Sequence, residues 1–367
     1  MSANHPAPGI TPDHTLQQLQ ATIAGLRASC PTQVIREQFG RSMVQYAADY
    51  PQLIAITADL MYATGMAPFG AQFPDRLVNV GIAEQNMAGV AAGLASCGKL
   101  PVACGYAAFT SLRAVEQAKV DCAYNEVKVI LAGLSAGLSY GVGGPTHQTY
   151  EDVAIMRAIP NMTVVVPSDA VEVDQALRAC LDHPRAAPIY LRLGRGPEHT
   201  FNVPDAPFAI GQARRLRDGD EVSIIANGSM VFEALLASDA LAQIGIRASV
   251  VNMHTVKPID AAAILREAAH CKAMVVAEEH SVIGGLGSAV LEVLRAGHAF
   301  PVDCIGIEDF YPPIGPTPEL RASLGLHADH IAARVLQLLQ QVGHGVDRRA
   351  GDSADNPSNR QRQEHTA

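Results

Sequence analysis

One acid stands alone in a run of small residues, Asn79-Val-Gly-Ile-Ala-Glu84-Gln-Asn-Met-Ala-Gly-Val-Ala-Ala-Gly-Leu-Ala-Ser-Cys-Gly98. Two readings of Glu84 are open. It is a first-turn acid that complements the helix dipole, or a carboxylate held against a ligand nitrogen at an apolar interface, where a charge-assisted hydrogen bond is strongest. Downstream, Tyr106 and Phe109 are three apart and project one way from a helix start, as core aromatics or as the walls of a ring pocket. His147 follows the turn Gly143-Gly-Pro-Thr146, just after an expected strand. That is the ligand end of a parallel sheet, and imidazole is the side chain best suited to proton exchange with a substrate oxygen. Gln148 and Tyr150 come with it. Arg195, flanked by Gly194 and Gly196, has little local cover and could grip an oxyanion with two parallel bonds; a surface ion pair is the plainer alternative.

The elements that must position these groups alternate along the chain. Residues 53–57, 100–104, 127–134, 163–166 and 188–193 read as strands separated by helices, and the same alternation resumes from Val222 to Ile307. Such repetition implies an α/β protein with parallel sheets covered on both faces, here two doubly wound domains. The expected organisation is an N-terminal arm over 1–32, partly disordered and with helical spacing from His14 to Ala28 for packing on a neighbour. A first domain over 33–196, a linker over 197–213, a second domain over 214–342 and a disordered tail over 343–367 follow. The first domain opens with a helix over 34–50.

The 367 residues suit two domains with ample buried cores. A net charge of −9 and the lack of any basic run argue against a nucleic-acid partner. Seven cysteines without a CxxC pair read as small buried hydrophobes in a reducing compartment, not as a metal site. The uncharged stretch 129–150 is too rich in Gly and Ser for a membrane span, so a cytoplasmic location without membrane contact is expected.

In this order the motifs resemble those of the transketolase-like thiamine diphosphate enzymes, over roughly residues 33–340. The matches are Gly81-Ile-Ala-Glu-Gln-Asn-Met87, Tyr106 with Phe109, Gly144-Pro-Thr-His-Gln148, Met156-Arg-Ala-Ile-Pro-Asn-Met-Thr163 and Ala277-Glu-Glu-His-Ser-Val-Ile-Gly-Gly-Leu-Gly287. The resemblance implies a pyrimidine-binding domain followed by a transketolase C-terminal-like domain. It implies that Glu84 meets a ring nitrogen of the cofactor's aminopyrimidine and favours the tautomer that activates the thiazolium. Tyr106 and Phe109 would line the pocket, with Asp59 near the cofactor at a subunit interface. His147 and Gln148 would hold substrate oxygens, and Arg36 and Arg195 a sugar-phosphate tail.

Departures from the family pattern matter equally. Val142-Gly143 stand where Glu-Asp is usual, Ser135 replaces a histidine, Ala63 a serine, and Leu112 the third aromatic of the pocket. The reaction implied is transfer of a two-carbon ketol unit from a ketose, of an unusual or modified kind, to an aldose. The family's Gly-Asp-Gly magnesium motif is missing: Asp218-Gly-Asp220 lies before Val222 and reads as a hairpin-type turn. No metal ligand is therefore expected in this chain. Magnesium and the diphosphate of thiamine diphosphate fall to a partner, the N-terminal section of a split transketolase, in a two-plus-two heterotetramer. Two alternatives stand: the beta subunit of a 2-oxo-acid dehydrogenase first component, and a non-catalytic homologue.

Overall fold

Runs such as Leu53-Ile-Ala-Ile-Thr57 and Val222-Ser-Ile-Ile-Ala226 are apolar or small at nearly every position, as strands buried on both faces must be. In the computed structural model, which describes residues 12–295, 297 and 300–354, they form the centres of two mostly parallel sheets. The strands in chain order are β1 (Thr32–Val34), β2 (Leu53–Thr57), β3 (Leu77–Asn79), β4 (Leu100–Tyr106), β5 (Ile130–Leu134), β6 (Thr163–Val165) and β7 (Ile189–Arg192). They continue with β8 (Pro197–His199), β9 (Arg214–Arg217), β10 (Val222–Ala226), β11 (Ala248–Asn252), β12 (Thr255–Lys257), β13 (Ala273–Ser281) and β14 (Val302–Ile307). The first sheet has the order β12-β6-β7-β5-β4-β2-β3, and the second β14-β13-β10-β11-β9. Only the flanking strands β12 and β9 run antiparallel within these two sheets.

The two halves are joined more intimately than the sequence suggests. β12 comes from the second half yet pairs with β6 of the first sheet. Arg192, at the end of β7, lies against Asp152 at 2.8 Å and donates across the boundary to the Glu279 carbonyl. The expected linker contains a strand, since β8 pairs antiparallel with β1. The expected helix over 34–50 is shorter, Ile35–Tyr46: Val34 is taken up by that pairing, and the chain leaves the helix in a turn over 47–49 ahead of Pro51.

Two further expectations are corrected. The helix Pro12–Ser29, expected as a partly disordered arm, is an ordered helix that packs on its own chain: Leu19 and Ile23 are buried with the second domain's core, and Arg27 grips Glu233 with two 2.6 Å bonds. Asp218-Gly219-Asp220 is no hairpin, because β9 pairs with β11 and not with the following β10. Gly219 instead lies so close to Ala248 and Ser249 that a Cβ there would come within 2.3 Å of a backbone nitrogen. Of the expected tail, the helix Ala328–Ala354 takes in the first part, and 355–367 lie outside the described residues, as do 1–11 of the arm. The glycine run after β13 is filled from within: Glu278 accepts hydrogen bonds from Leu286 and Gly287 N–H at 2.7 and 2.8 Å, occupying the N-terminus of helix Leu286–Leu294.

His254, fully buried and stacked on Phe208 with centroids 4.1 Å apart, gives the fold a pH dependence. Burial, aided by nearby Arg214, pushes its imidazole down to about 4 from an ordinary 6.5. The folded state therefore refuses a proton that the unfolded chain accepts, so this contribution is complete above pH 6.5 and is lost as pH falls toward 4. Urea unfolding between pH 7 and 4 should lose about one proton's worth of slope in His254→Phe; an unchanged slope would refute the assignment.

Candidate functional site

Parallel strands bring all their carboxyl ends to one edge of a sheet, where ligands bind. Asp59 follows β2, Glu84 follows β3, Tyr106 ends β4, His147 lies in the loop after β5, and Arg195 follows β7. Arg36 reaches the same edge because its helix runs back toward β2. The described fold thus places six distant stretches of sequence along one rim.

Glu84 opens the helix Glu84–Ser96, whose small residues let Met87, Ala88 and Ala91 bury completely. Its carboxylate is 2% exposed and accepts a 2.7 Å hydrogen bond from Arg113 Nη1. The Arg113 guanidinium lies over the Phe109 ring, 4.4 Å from its centroid. Residues Ala108–Arg113 form a π-helix, whose wider turn brings the residue four on, and not Leu112, above Phe109. Leu112 is pushed outward and is 38% exposed.

His147 is enclosed on three sides. Its ring centroid lies 5.3 Å from Tyr140, 5.4 Å from Phe109 and 5.9 Å from Tyr106, edge-on to each. Thr146 Oγ1 sits 2.8 Å from Nδ1. Gly143 lets the loop fold this tightly, for a Cβ there would lie 2.8 Å from that of His147. Arg195 donates to the Tyr106 hydroxyl at 2.8 Å and covers Tyr140 at 4.1 Å. A cavity of about 570 Å³ opens beyond it, lined by Arg36, Arg195, Tyr140 and Val142. Glu84, Arg113, Phe109, His147, Tyr106, Tyr140 and Arg195 thereby form one continuous surface.

Two expected residues stand apart from that surface. Asp59, exposed and at φ 60°, exchanges hydrogen bonds with the Asn79 side chain at the strand ends. Gln148 is 1% exposed, and its Nε2 donates to the Gly141 and Pro313 carbonyls beneath the loop. It fastens the His147 loop instead of facing the cavity. Tyr140 and Arg113 escaped the sequence reading. Arg113 stands seven residues after Tyr106 and so carries a helical-face signal, whereas nothing local marks Tyr140.

A guanidinium is a flat N–H donor, and here it is wedged between a buried carboxylate and an aromatic face. The slot it occupies therefore fits a planar nitrogen heterocycle that donates to Glu84 and stacks on Phe109.

The fold and this rim define a thiamine diphosphate-type pyrimidine domain joined to a second α/β domain. Residues 32–197 match the family described as transketolase, pyrimidine binding domain, and residues 211–331 match transketolase, C-terminal domain. The chain is 41% identical over 297 residues to the 6-deoxy-6-sulfo-D-fructose transketolase subunit SqwH of Clostridium sp. strain MSTE9, covering 81% of this chain and 92% of that one. It is 35% identical over 307 residues to an apulose-4-phosphate transketolase subunit of Phocaeicola vulgatus, covering 83% and 97%. The solved structure of a split gene transketolase, an inactive beta4 tetramer, superposes with a TM-score of 0.78 at 38% identity, over 84% of this chain and 99% of that one. The chain belongs to the transketolase family, whose members are thiamine diphosphate-dependent transferases.

The Glu84–Arg113 contact is open to a double-mutant cycle in urea. Glu84→Gln and Arg113→Met together should be less damaging than the sum of the two singles by about 1–3 kcal/mol, since Arg113→Met alone strands a buried carboxylate. Additive losses would show that the pair is not coupled.

Proposed function

We propose that this chain is the pyrimidine-binding and C-terminal-domain subunit of a split transketolase that moves a two-carbon ketol unit from a ketose to an aldose. The observation that carries the reading is the slot between Glu84 and Phe109, next to His147 on the ligand edge of the sheet. When bound there, thiamine diphosphate supplies the carbon nucleophile that cleaves the ketose. Glu84 holds a proton at a ring nitrogen of the aminopyrimidine, and Phe109 with Tyr106 offers it an apolar wall. His147 donates to the substrate's oxygens. Arg36 and Arg195 orient an anionic tail, which phosphate or sulfonate can equally supply, both being tetrahedral oxyanions.

The diphosphate and its magnesium are assigned to a partner subunit, the N-terminal section, in a two-plus-two assembly. Two observations support the division. Asp218-Gly-Asp220 is packed against the β11 entrance, and Glu278 fills the second domain's glycine-rich helix start. Ile82, two residues before Glu84, and Tyr62, in the loop after β2, are 78% and 80% exposed, apolar surface that a partner would cover. Asp59 belongs to that rim. That the solved split relative is inactive as a beta4 tetramer accords with a lone subunit that needs its partner. Seven free thiols fit a cytoplasmic location, and no described helix is long and apolar enough to cross a membrane.

An unusual ketose is favoured by Val142 and Ser135, which stand where the family's polar sugar-reading residues are usual, and by a sulfofructose-acting relative. The 2-oxo-acid dehydrogenase and non-catalytic alternatives are separated in one assay. Reconstituted with the partner, cofactor and magnesium, the complex should turn over D-fructose 6-phosphate, D-xylulose 5-phosphate or 6-deoxy-6-sulfo-D-fructose, while this chain alone stays near background. Turnover of 2-oxo acids alone, or of nothing, contradicts the reading. Within the active complex, His147→Ala should lower kcat/KM by about 10²–10⁴-fold.

A further inference from the structure

The His147 loop and the arginine clamp belong to the first domain, yet both are fastened to one residue of the second. Arg321, on helix Thr317–Ser323, lies between two carboxylates. Its Nε donates to Glu279 at 2.8 Å, and Nη2 and Nη1 reach the two oxygens of Glu198 at 2.8 and 3.2 Å. The three side chains are only 18%, 4% and 15% exposed.

Each carboxylate holds a different wall of the site. Glu198 sits in β8, opposite Gln33 of β1, and this ribbon carries Arg195 just before it and Arg36 just after its other strand. The ribbon is closed by Ile35 N–H donating to the Gly196 carbonyl at 3.0 Å. Glu279 accepts the Leu138 N–H at 2.6 Å, at the base of the loop that bears Tyr140 and His147. That base is pinned by reciprocal backbone bonds between Gly137 and Thr149. Gly137 has φ 63°, and a Cβ on it would lie 2.4 Å from Glu279 Oε1, so the carboxylate needs glycine there. The same helix start adds Thr317 Oγ1, which donates to the Leu138 carbonyl at 2.8 Å.

We infer that Arg321 is a positioning residue that sets the span between His147 and the Arg36–Arg195 clamp, and so the length of acidic-tailed ketose the site accepts. A planar guanidinium with two carboxylates has one geometry, which a point-charge ammonium does not reproduce. Without it, Glu198 and Glu279 lose the cation they share, Glu279 keeps only the Leu138 N–H and the Ser229 hydroxyl, and the ribbon and loop are free to separate. The inference rests on the split-transketolase reading, and on Arg36 and Arg195 as the tail's ligands.

The test uses the reconstituted complex with two ketol donors. One is whichever of D-fructose 6-phosphate, D-xylulose 5-phosphate and 6-deoxy-6-sulfo-D-fructose the unaltered complex uses fastest; the other is L-erythrulose, which has no acidic tail. Arg321→Met and Glu198→Gln should each raise KM for the tailed donor about tenfold or more. Both should leave its kcat and the L-erythrulose KM within about threefold, with Arg321→Lys intermediate. A tailed-donor KM that stays put in both variants overturns the inference, as does an equal loss with both donors, which marks mere structural damage. If Arg321→Met fails to fold by circular dichroism, Glu198→Gln decides alone. Arg36→Met and Arg195→Met separate the two ideas. If they raise the tailed-donor KM and Arg321→Met does not, only the positioning role falls; if they leave it unchanged, the clamp itself is wrong. A complex that uses no ketose overturns the underlying function and the inference with it.

Discussion

A carboxylate taken out of water must be compensated, and the structure compensates Glu84 with a cation laid flat on an aromatic ring. An ion pair with one buried partner is a poor way to gain stability, since apolar residues of similar volume would serve as well or better. Its presence at the open rim of a parallel sheet therefore argues for use. The apolar small-residue helix behind Glu84 keeps the dielectric low, which strengthens any charge-assisted bond made there. In the proposed reaction the cofactor's ring takes over the contacts that Arg113 now makes.

The second domain then has a clearer purpose than scaffolding. It lends β12 to the first sheet, receives Arg192 across the boundary, and anchors both walls of the cavity through Arg321. Small shifts of that domain would be felt at the rim, because packed, hydrogen-bonded contacts transmit displacement instead of absorbing it. The helix Pro12–Ser29 extends the same chain of contacts, being tied to Glu233 beside the second domain's core.

Periodicity revealed the alternating strands and helices because both sheets are buried on two faces and leave uninterrupted apolar runs. Glu84, a lone charge among small residues, and His147, set off by glycines, are singled out by the resemblance to the transketolase motifs; their own spacing leaves the plainer readings open. Tertiary placement stayed hidden. Nothing within a few residues of Pro197 says that it will pair with Thr32–Val34, so an ordered strand read as linker. Leu112 stands where the family's third pocket aromatic is usual, whereas the π-helix turns Arg113 over Phe109. Gln148 was judged by its neighbour His147, but the side chain points down to Pro313, which is 165 positions away.

The proton at Glu84 is the point on which the functional reading turns. Hydrogen–deuterium exchange at the thiazolium carbon of bound thiamine diphosphate, followed by NMR in the reconstituted complex, measures it directly. Glu84→Gln, with assembly intact by size-exclusion chromatography, should slow that exchange by about 10²-fold or more. Exchange at the unaltered rate would show that the buried acid does not serve the cofactor.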